Sequence, residues 1–331
     1  MTPERAVALI KSHASELGFV ACGIASAQRV APEAEAEYRR WLHAGHAADM
    51  NYMQAHEELR YDPRLLHPGC RSLIVVALNY FPRCSQEGDL RFASYAYGAD
   101  YHYVVKQRLT LLSDFIAAEV APALMPGETY DARPFCDSAP MMEHYWAVQA
   151  GVGFMGRNRL LIVPHYGSYC FLGVLAVNLD LPADSPLTIS CGTCRRCLDA
   201  CPTGALHEER EFSSTGSMVD ARRCISYHTI ESRAEEIDEE IAAQMGNRVY
   251  GCDACQECCP WNRFARPTEV VEFHPSEAFL SLNADALRRM TGGDFKRMFK
   301  HSAIMRAGYK GLLRNLKAVE QCPTHSPNIN L

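Results

Sequence analysis

The chain has 331 residues, 48% hydrophobic and 22% charged, a balance that supports roughly two packed domains and excludes disordered and fibrous classes. Its 33 Lys and Arg against 39 Asp and Glu give a formal net charge of −6, which excludes a protein that coats nucleic acid through bulk positive charge. Fifteen cysteines would suit a secreted disulfide protein, but Glu4, Arg5, Lys11 and Glu16 occupy what would be the apolar core of a signal peptide, so a cytoplasmic, reducing setting is expected.

Val7, Ile10, Ala14 and Leu17 recur at helical spacing and predict an opening helix over residues 3–17, stopped by Gly18. Residues 72–80 form a short β-branched apolar run that reads as a buried strand, and Val105, Leu109, Leu112 and Ile116 mark the next helix. Residues 140–150 read as a further helix closed by Gly151, followed by strands at 160–163 and 169–179. The span 160–179 is uncharged and long enough to cross a bilayer, but Pro164, His165, Tyr166 and Gly167 break it, so two strands joined by a turn explain it better. The turn-rich PADSP at 182–186 reads as a linker, dividing the chain into residues 1–182, 183–265 and 266–331. Further on, Glu231, Glu235, Glu236, Asp238, Glu239 and Glu240 crowd a segment read as a short helix. Between Arg288 and Lys317, nine basic residues face the single acid Asp294, a pattern that reads either as a solvated face or as a grip for an anionic, phosphate-bearing partner.

Cys191, Cys194, Cys197 and Cys201, followed by Pro202, form C-x2-C-x2-C-x3-C-P, the bacterial spacing for a 4Fe-4S cluster. Cys252, Cys255 and Cys259 before Pro260 repeat the pattern, with Cys224 between the groups as the missing ligand. Thiolate sulfur is a soft donor that suits iron-sulfur chemistry. In two-cluster ferredoxins the cysteine before proline ligates the other cluster. That rule assigns Cys191, Cys194, Cys197 and Cys259 to one cluster and Cys201, Cys224, Cys252 and Cys255 to the second, leaving Cys258 over. A pair of structural zinc sites is the alternative. Cys22, Cys70, Cys84, Cys136, Cys170 and Cys322 are expected to be small buried hydrophobes.

A cluster pair alone would describe an electron carrier, yet roughly 180 residues of mixed α/β pattern precede it. Within them, Phe135 to Gly156 has the features of a site: Asp137 and Ser138 stand where the chain leaves an extended run, and Gly151, Gly153 and Gly156 permit close backbone approach. A plain helix N-cap is the other reading of Asp137, and a turn that of the glycines.

DSAP at 137–140, AGVGFMGRNRLLI at 150–162, GSYCFLG at 167–173, CGTCRRCLDACPTGAL at 191–206, DARRCISYHTIE at 220–231 and GNRVYGCDACQECCPWN at 246–262 together resemble epoxyqueuosine reductase, over residues 40–318. The resemblance implies an α+β chain: a nitroreductase-like cobalamin-binding α/β domain, a two-cluster ferredoxin-like module and a helical, basic C-terminal segment. It implies reduction of epoxyqueuosine at the tRNA wobble position to queuosine, the last step of that pathway, with Asp137 as proton donor. The implied cofactors are base-off cobalamin, resting as cob(II)alamin, and two 4Fe-4S clusters fed by a flavodoxin or ferredoxin. Arg60, Tyr101, His102, Asn158 and Ser168 match positions around the corrin, and Arg222, Arg223 and Tyr227 are candidates for gripping tRNA. A monomer without membrane attachment is expected. Phe154, Arg157 and His228 depart from common family residues, and many relatives continue into a HEAT-like repeat whereas this sequence stops at Leu331, so RNA contact near the C-terminus is expected to differ. A reductive dehalogenase and a pure electron carrier are the competing readings.

Overall fold

The computed structural model describes residues 1–211 and 213–321. Strands β1 (Ala21–Ser26), β2 (Ser72–Asn79), β3 (Ala132–Phe135) and β4 (Cys170–Val177) form a four-stranded sheet in the order β1-β2-β4-β3, with every neighbouring pair antiparallel. All eight residues of β2 are buried, because the alternation of strand side chains feeds two cores. Ile74, Val76 and Leu78 join Leu175 and Val177 on one face, while Leu73, Val75 and Ala77 join Leu172, Val174 and Ala176 on the other.

Helix α1 (Pro3–Glu16), capped by the Thr2 side chain, and α2 (Tyr101–Phe115), capped by Asp100, cover the first face with Ile10, Leu109 and Leu112. Each such fully buried aliphatic side chain contributes about 1.5–3 kcal/mol. Gly173 lets α2 lie flat on the sheet, since a Cβ there would come within 2.7 Å of Val105 Cγ1. The other face takes α3 (Glu143–Gln149), which drives Trp146 and Ala147 into the core. This helix starts three residues later than its sequence pattern predicts: residues 136–140 form a bend, and Met142 rather than Asp137 is the N-cap.

The predicted linker is no free tether. The Asp184 carboxylate accepts Lys11 Nζ at 2.6 Å and the Ile24 N–H at 2.8 Å, and the Asp184 N–H donates to Ile24 O, so the segment is stitched along the edge of β1. The strand predicted at 160–163 is Leu161–Ile162, and it pairs with Phe154–Met155 rather than with β4. In the cysteine-rich region, β5 (Leu206–Glu208) pairs with β6 (Ser217–Val219). The acidic stretch is not one helix: it is divided between a helical turn at Tyr227–Glu231 and a short helix at Glu239–Ala242, and its like charges spread over the surface between them. Helices α4 (Gly292–Phe299) and α5 (Gly308–Gln321) complete the C-terminal part, where Phe295, Phe299, Leu312 and Leu316 pack with Phe92 and Tyr250 of the parallel pair Arg91–Phe92 and Arg248–Tyr250.

Among the described residues no helix is long and apolar enough to cross a membrane. Of the cysteines outside the cluster region, Cys70 and Cys136 are buried and Cys22 and Cys170 partly so; Cys84 is exposed, contrary to expectation, because it lies on an irregular surface loop. Cys322 lies outside the described residues.

Candidate redox and acid–base site

The two cysteine groups interleave. The thiols of Cys191, Cys197 and Cys259 come within electrostatic reach of one another, and Cys194 of both Cys191 and Cys259. Cys224 likewise faces Cys201 and Cys252, and Cys255 faces Cys252 and Cys224. Burial first, and neighbouring thiols second, hold Cys197 up to about 12 and Cys258 up to about 11, so both side chains keep their protons at neutral pH. Backbone amides already point at sulfur: Arg157 N–H at Cys191 Sγ (3.5 Å) and Leu206 N–H at Cys201 Sγ (3.4 Å), the type of contact that tunes cluster potential. Cys258 sits beside the first group, facing Cys194 and Cys259, with its Sγ 3.7 Å from Cys255 O.

Asp137 is held from several directions. Its backbone adopts φ of +51°, a left-handed conformation that costs a non-glycine residue of the order of 1 kcal/mol or more. Its N–H donates to Glu143 Oε1 at 2.8 Å, which anchors the bend to the first turn of α3. On the opposite side the Tyr101 hydroxyl donates a short hydrogen bond to Asp137 Oδ2, and His102 Nε2 lies 3.9 Å from the same oxygen. Next to it Lys106 Nζ donates to Ser138 Oγ at 2.5 Å. The Asp137 side chain nevertheless remains 66% exposed, so the acid is fixed at its backbone and open at its carboxyl.

Burial, then the Asp137 charge, hold Glu143 above the usual carboxylate range. Burial also pushes the Tyr101 phenol far up, reinforced by Asp137, so it acts as a hydrogen-bond donor that keeps its proton. The Tyr101 ring stacks on Phe171 of β4 at 4.3 Å and 4°, and on His102 at 4.1 Å, which ties its direction to the sheet.

Of the other sequence-predicted residues, Arg60 is buried at 8% exposure. Its Nη2 donates to Tyr52 O at 3.1 Å, and its guanidinium lies over the Tyr38 ring at 5.4 Å. Its Nε has no partner among the described residues, leaving one buried donor available to a bound group. Asn158 and Ser168 face the cysteine loops: Asn158 Nδ2 reaches Cys255 O at 3.4 Å, and Ser168 bonds Gln256 Oε1 through Oγ (2.9 Å) and Asn262 Oδ1 through its N–H (2.7 Å). Arg222 is taken by a bidentate pair with Asp220 at 2.8 Å, and Tyr227 by a hydrogen bond to Asp49, whereas the Arg223 side chain is exposed with no polar partner among the described residues.

The basic stretch is partly structural. Arg314 donates to the carbonyls of His228, Ser232 and Ala234, while Arg288, Arg297, Arg306 and Lys317 pair with acids. Arg289, Lys296, Lys300 and Lys310 are exposed and have no partner among the described residues.

Several residues of the site escape sequence reasoning. The Tyr95 hydroxyl donates to Tyr250 (3.0 Å) and Tyr250 to Ala303 O (2.7 Å), with Tyr95 6.1 Å from the Tyr101 ring. Arg306 binds Glu231 and lies over Tyr52 at 5.7 Å, and Tyr52 in turn is within electrostatic reach of Asp137. The one local signal for Glu143 is that it is an acid six residues after Asp137, and nothing local marks the others.

Comparison with known proteins follows the same division. Residues 190–262 match a family described as a 4Fe-4S double cluster binding domain, and residues 60–138 match "Epoxyqueuosine reductase QueG, DUF1730". An epoxyqueuosine reductase of Cellulophaga algicola is 40% identical over 316 residues, 95% of this chain and 98% of that protein. One from Pseudomonas aeruginosa is 40% identical over 327 residues, 95% and 84% of the two chains. Among solved structures, an epoxyqueuosine reductase with an epoxyqueuosine-modified tRNA-Tyr stem loop superposes with a TM-score of 0.83 at 26% identity, covering 96% of this chain and 81% of that one. A Bacillus subtilis epoxyqueuosine reductase, described with its catalytic aspartate loop swung out of the active site, gives 0.83 at 26% identity, covering 96% and 82%.

Proposed function

The chain belongs to the epoxyqueuosine reductase family, and from that premise we propose that Asp137 is the acid that protonates the epoxide oxygen of epoxyqueuosine in tRNA. The observation that carries this reading is the Asp137 loop itself: a strained backbone latched by Glu143, with the carboxyl steered by Tyr101 and open to a ligand. Opening an epoxide builds negative charge on oxygen, and an acid at hydrogen-bond distance stabilises that charge and supplies the proton. The relative whose aspartate loop swings out supports a loop that is held in place by few bonds, as the Glu143 and Tyr101 bonds hold it here.

Cys191, Cys194, Cys197 and Cys259 would hold one 4Fe-4S cluster and Cys201, Cys224, Cys252 and Cys255 the other, an assignment supported by the interleaved thiol neighbours. Residues 1–182 would form the nitroreductase-like catalytic domain, residues 183–265 the cluster module and 266–331 the C-terminal segment. Base-off cobalamin fits the catalytic part through the unpartnered Arg60 Nε and the open Asp137 carboxyl, with Tyr101 and His102 beside it. When bound, cobalamin supplies a reduced cobalt to the epoxide, with the clusters relaying electrons from a flavodoxin- or ferredoxin-type donor. Asn158 and Ser168 would serve by fixing the cluster loops against the catalytic sheet. The relative seen with a modified tRNA stem loop supports the same class of partner here. Arg223 would meet its phosphates, as would the unpaired lysines of the C-terminal helices.

Asp137→Asn tests the reading: it keeps the loop's shape and hydrogen bonding to Tyr101 but has no proton to give. Bound iron and corrin should be unchanged while turnover falls by about 10²–10⁴-fold; turnover at the wild-type rate would remove Asp137 from the role.

A further inference from the structure

Removing the oxygen of an epoxide to leave an alkene consumes two electrons and two protons and releases water: one proton goes to oxygen as the first C–O bond breaks, the second as that hydroxyl leaves. One carboxyl at Asp137 holds one proton, so it must be recharged within a turnover. This need rests on the functional reading above.

Tyr101, Glu143 and His102 contact or approach Asp137 itself, while Lys106 donates to the hydroxyl of the neighbouring Ser138. Tyr101 is bonded to Oδ2, but its phenol is held far from ionising, so it returns no proton readily. Glu143 spends Oε1 on the Asp137 backbone N–H, with Lys106 and Asp137 as its charged neighbours. His102 presents Nε2 at 3.9 Å from Asp137 Oδ2, while its Nδ1 lies 2.6 Å from Asp100 Oδ1. An imidazole with a carboxylate on each nitrogen can take a proton at one and release it at the other, and Asp100 fixes which nitrogen faces the acid. A small rotation of Asp137, whose carboxyl is open, or one water closes the remaining gap.

Asp100 is itself fixed. It caps α2 by accepting the His102 N–H at 3.0 Å, and its own N–H donates to His301 O at 2.6 Å, which ties it to the segment following α4. At 22% exposure for Asp100 and 32% for His102, the pair is in contact with solvent while His102 Nε2 approaches Asp137, as a relay requires. Among the described residues Lys106, which bonds Ser138, and Cys136 and Tyr250 also come within electrostatic reach of Asp100, and His144, Tyr95 and Tyr52 of Asp137.

We propose that His102, oriented by Asp100, is the proton relay that recharges Asp137 between the two C–O cleavages.

The test uses the full chain with both clusters and cobalamin reconstituted. His102→Gln should lower kcat by about 10- to 100-fold and leave KM for tRNA, bound iron and corrin absorbance unchanged, with a larger solvent deuterium isotope effect than wild type. Imidazole should restore much of the rate of His102→Ala. Asp100→Asn keeps a competent helix cap and should shift the pH profile with a smaller loss. A wild-type kcat and isotope effect in His102→Gln would overturn the relay, and so would loss of corrin from that variant, which would make His102 a cofactor contact instead. A rate loss in Glu143→Gln with an enlarged isotope effect, and none in His102→Gln, would move the role to Glu143. If the wild-type protein itself converts nothing, the functional reading falls and the relay with it.

Discussion

Glu143 Oε1 accepts the Asp137 backbone N–H at 2.8 Å, and this one bond closes the bend that holds an acid in a left-handed conformation. Without it, the loop would be free to relax toward ordinary φ values and carry the carboxyl away from Tyr101. Glu143→Ala is therefore expected to lower kcat about 10-fold or more while leaving both clusters in place, and Glu143→Gln, which keeps the acceptor oxygen, to stay within about 3-fold of wild type. Steady-state kinetics on the two variants check this; equal losses in both would show that charge rather than the latch matters.

The same residue gives a pH dependence with a defined sign. The folded protein holds Glu143 above its unfolded value through burial and the Asp137 charge. As pH rises past the ordinary carboxylate range the unfolded chain releases this proton first, so the contribution is full below that range and is lost as pH climbs to the raised folded value. Thermal unfolding between pH 5 and pH 9, rough limits set by the ordinary carboxylate value and its upward shift, should show a steeper loss of Tm with rising pH in wild type than in Glu143→Gln. Parallel curves would contradict the assignment.

Cys258 and Cys259 are adjacent and both lie near the first thiol group, so iron content separates them. Cys258→Ala should retain the iron of two clusters. Cys259→Ser should lose or destabilise one, with reconstituted iron falling toward half. The reverse pattern would exchange their roles.

The basic C-terminal stretch divides into two kinds of residue. Arg314 ties three backbone carbonyls, and Arg314→Ala should destabilise the fold by about 1–3 kcal/mol. Lys296, Lys300 and Lys310 are unpaired and exposed among the described residues, so replacing all three with Ala should leave Tm unchanged, weaken tRNA binding about 10-fold and flatten its salt dependence. Filter binding across salt concentrations reads both.

What was legible in the sequence was local. The double-cluster domain declared itself through cysteines four or fewer residues apart, because one loop must wrap one cube, and α1, α2, β2 and β4 follow from periodicity since their faces are buried along their whole length. Asp137 was singled out through the resemblance, whereas its hydrogen-bonded setting was not legible. The sequence pattern begins a helix at residue 140, yet the bend over residues 136–140 delays α3 to Glu143, and the Glu143 bond to the Asp137 N–H closes that bend. Tyr95 and Tyr250 are 155 residues apart and Glu231 and Arg306 are 75 apart, separations at which no sequence period carries information. The hydrogen bonds from Asn158 and Ser168 to Cys255, Gln256 and Asn262 span 88 to 97 residues, again beyond any local pattern.

The most direct measurement is anaerobic turnover of epoxyqueuosine-containing tRNA by the protein reconstituted with iron, sulfide and cobalamin and supplied with a reduced flavodoxin, with nucleosides read by mass spectrometry after digestion. The expected result is loss of one oxygen from the modified nucleoside, dependent on cobalamin and abolished in Asp137→Asn. Conversion that proceeds equally without cobalamin, or undiminished in Asp137→Asn, would contradict the central claim that this acid and this cofactor act together on the epoxide.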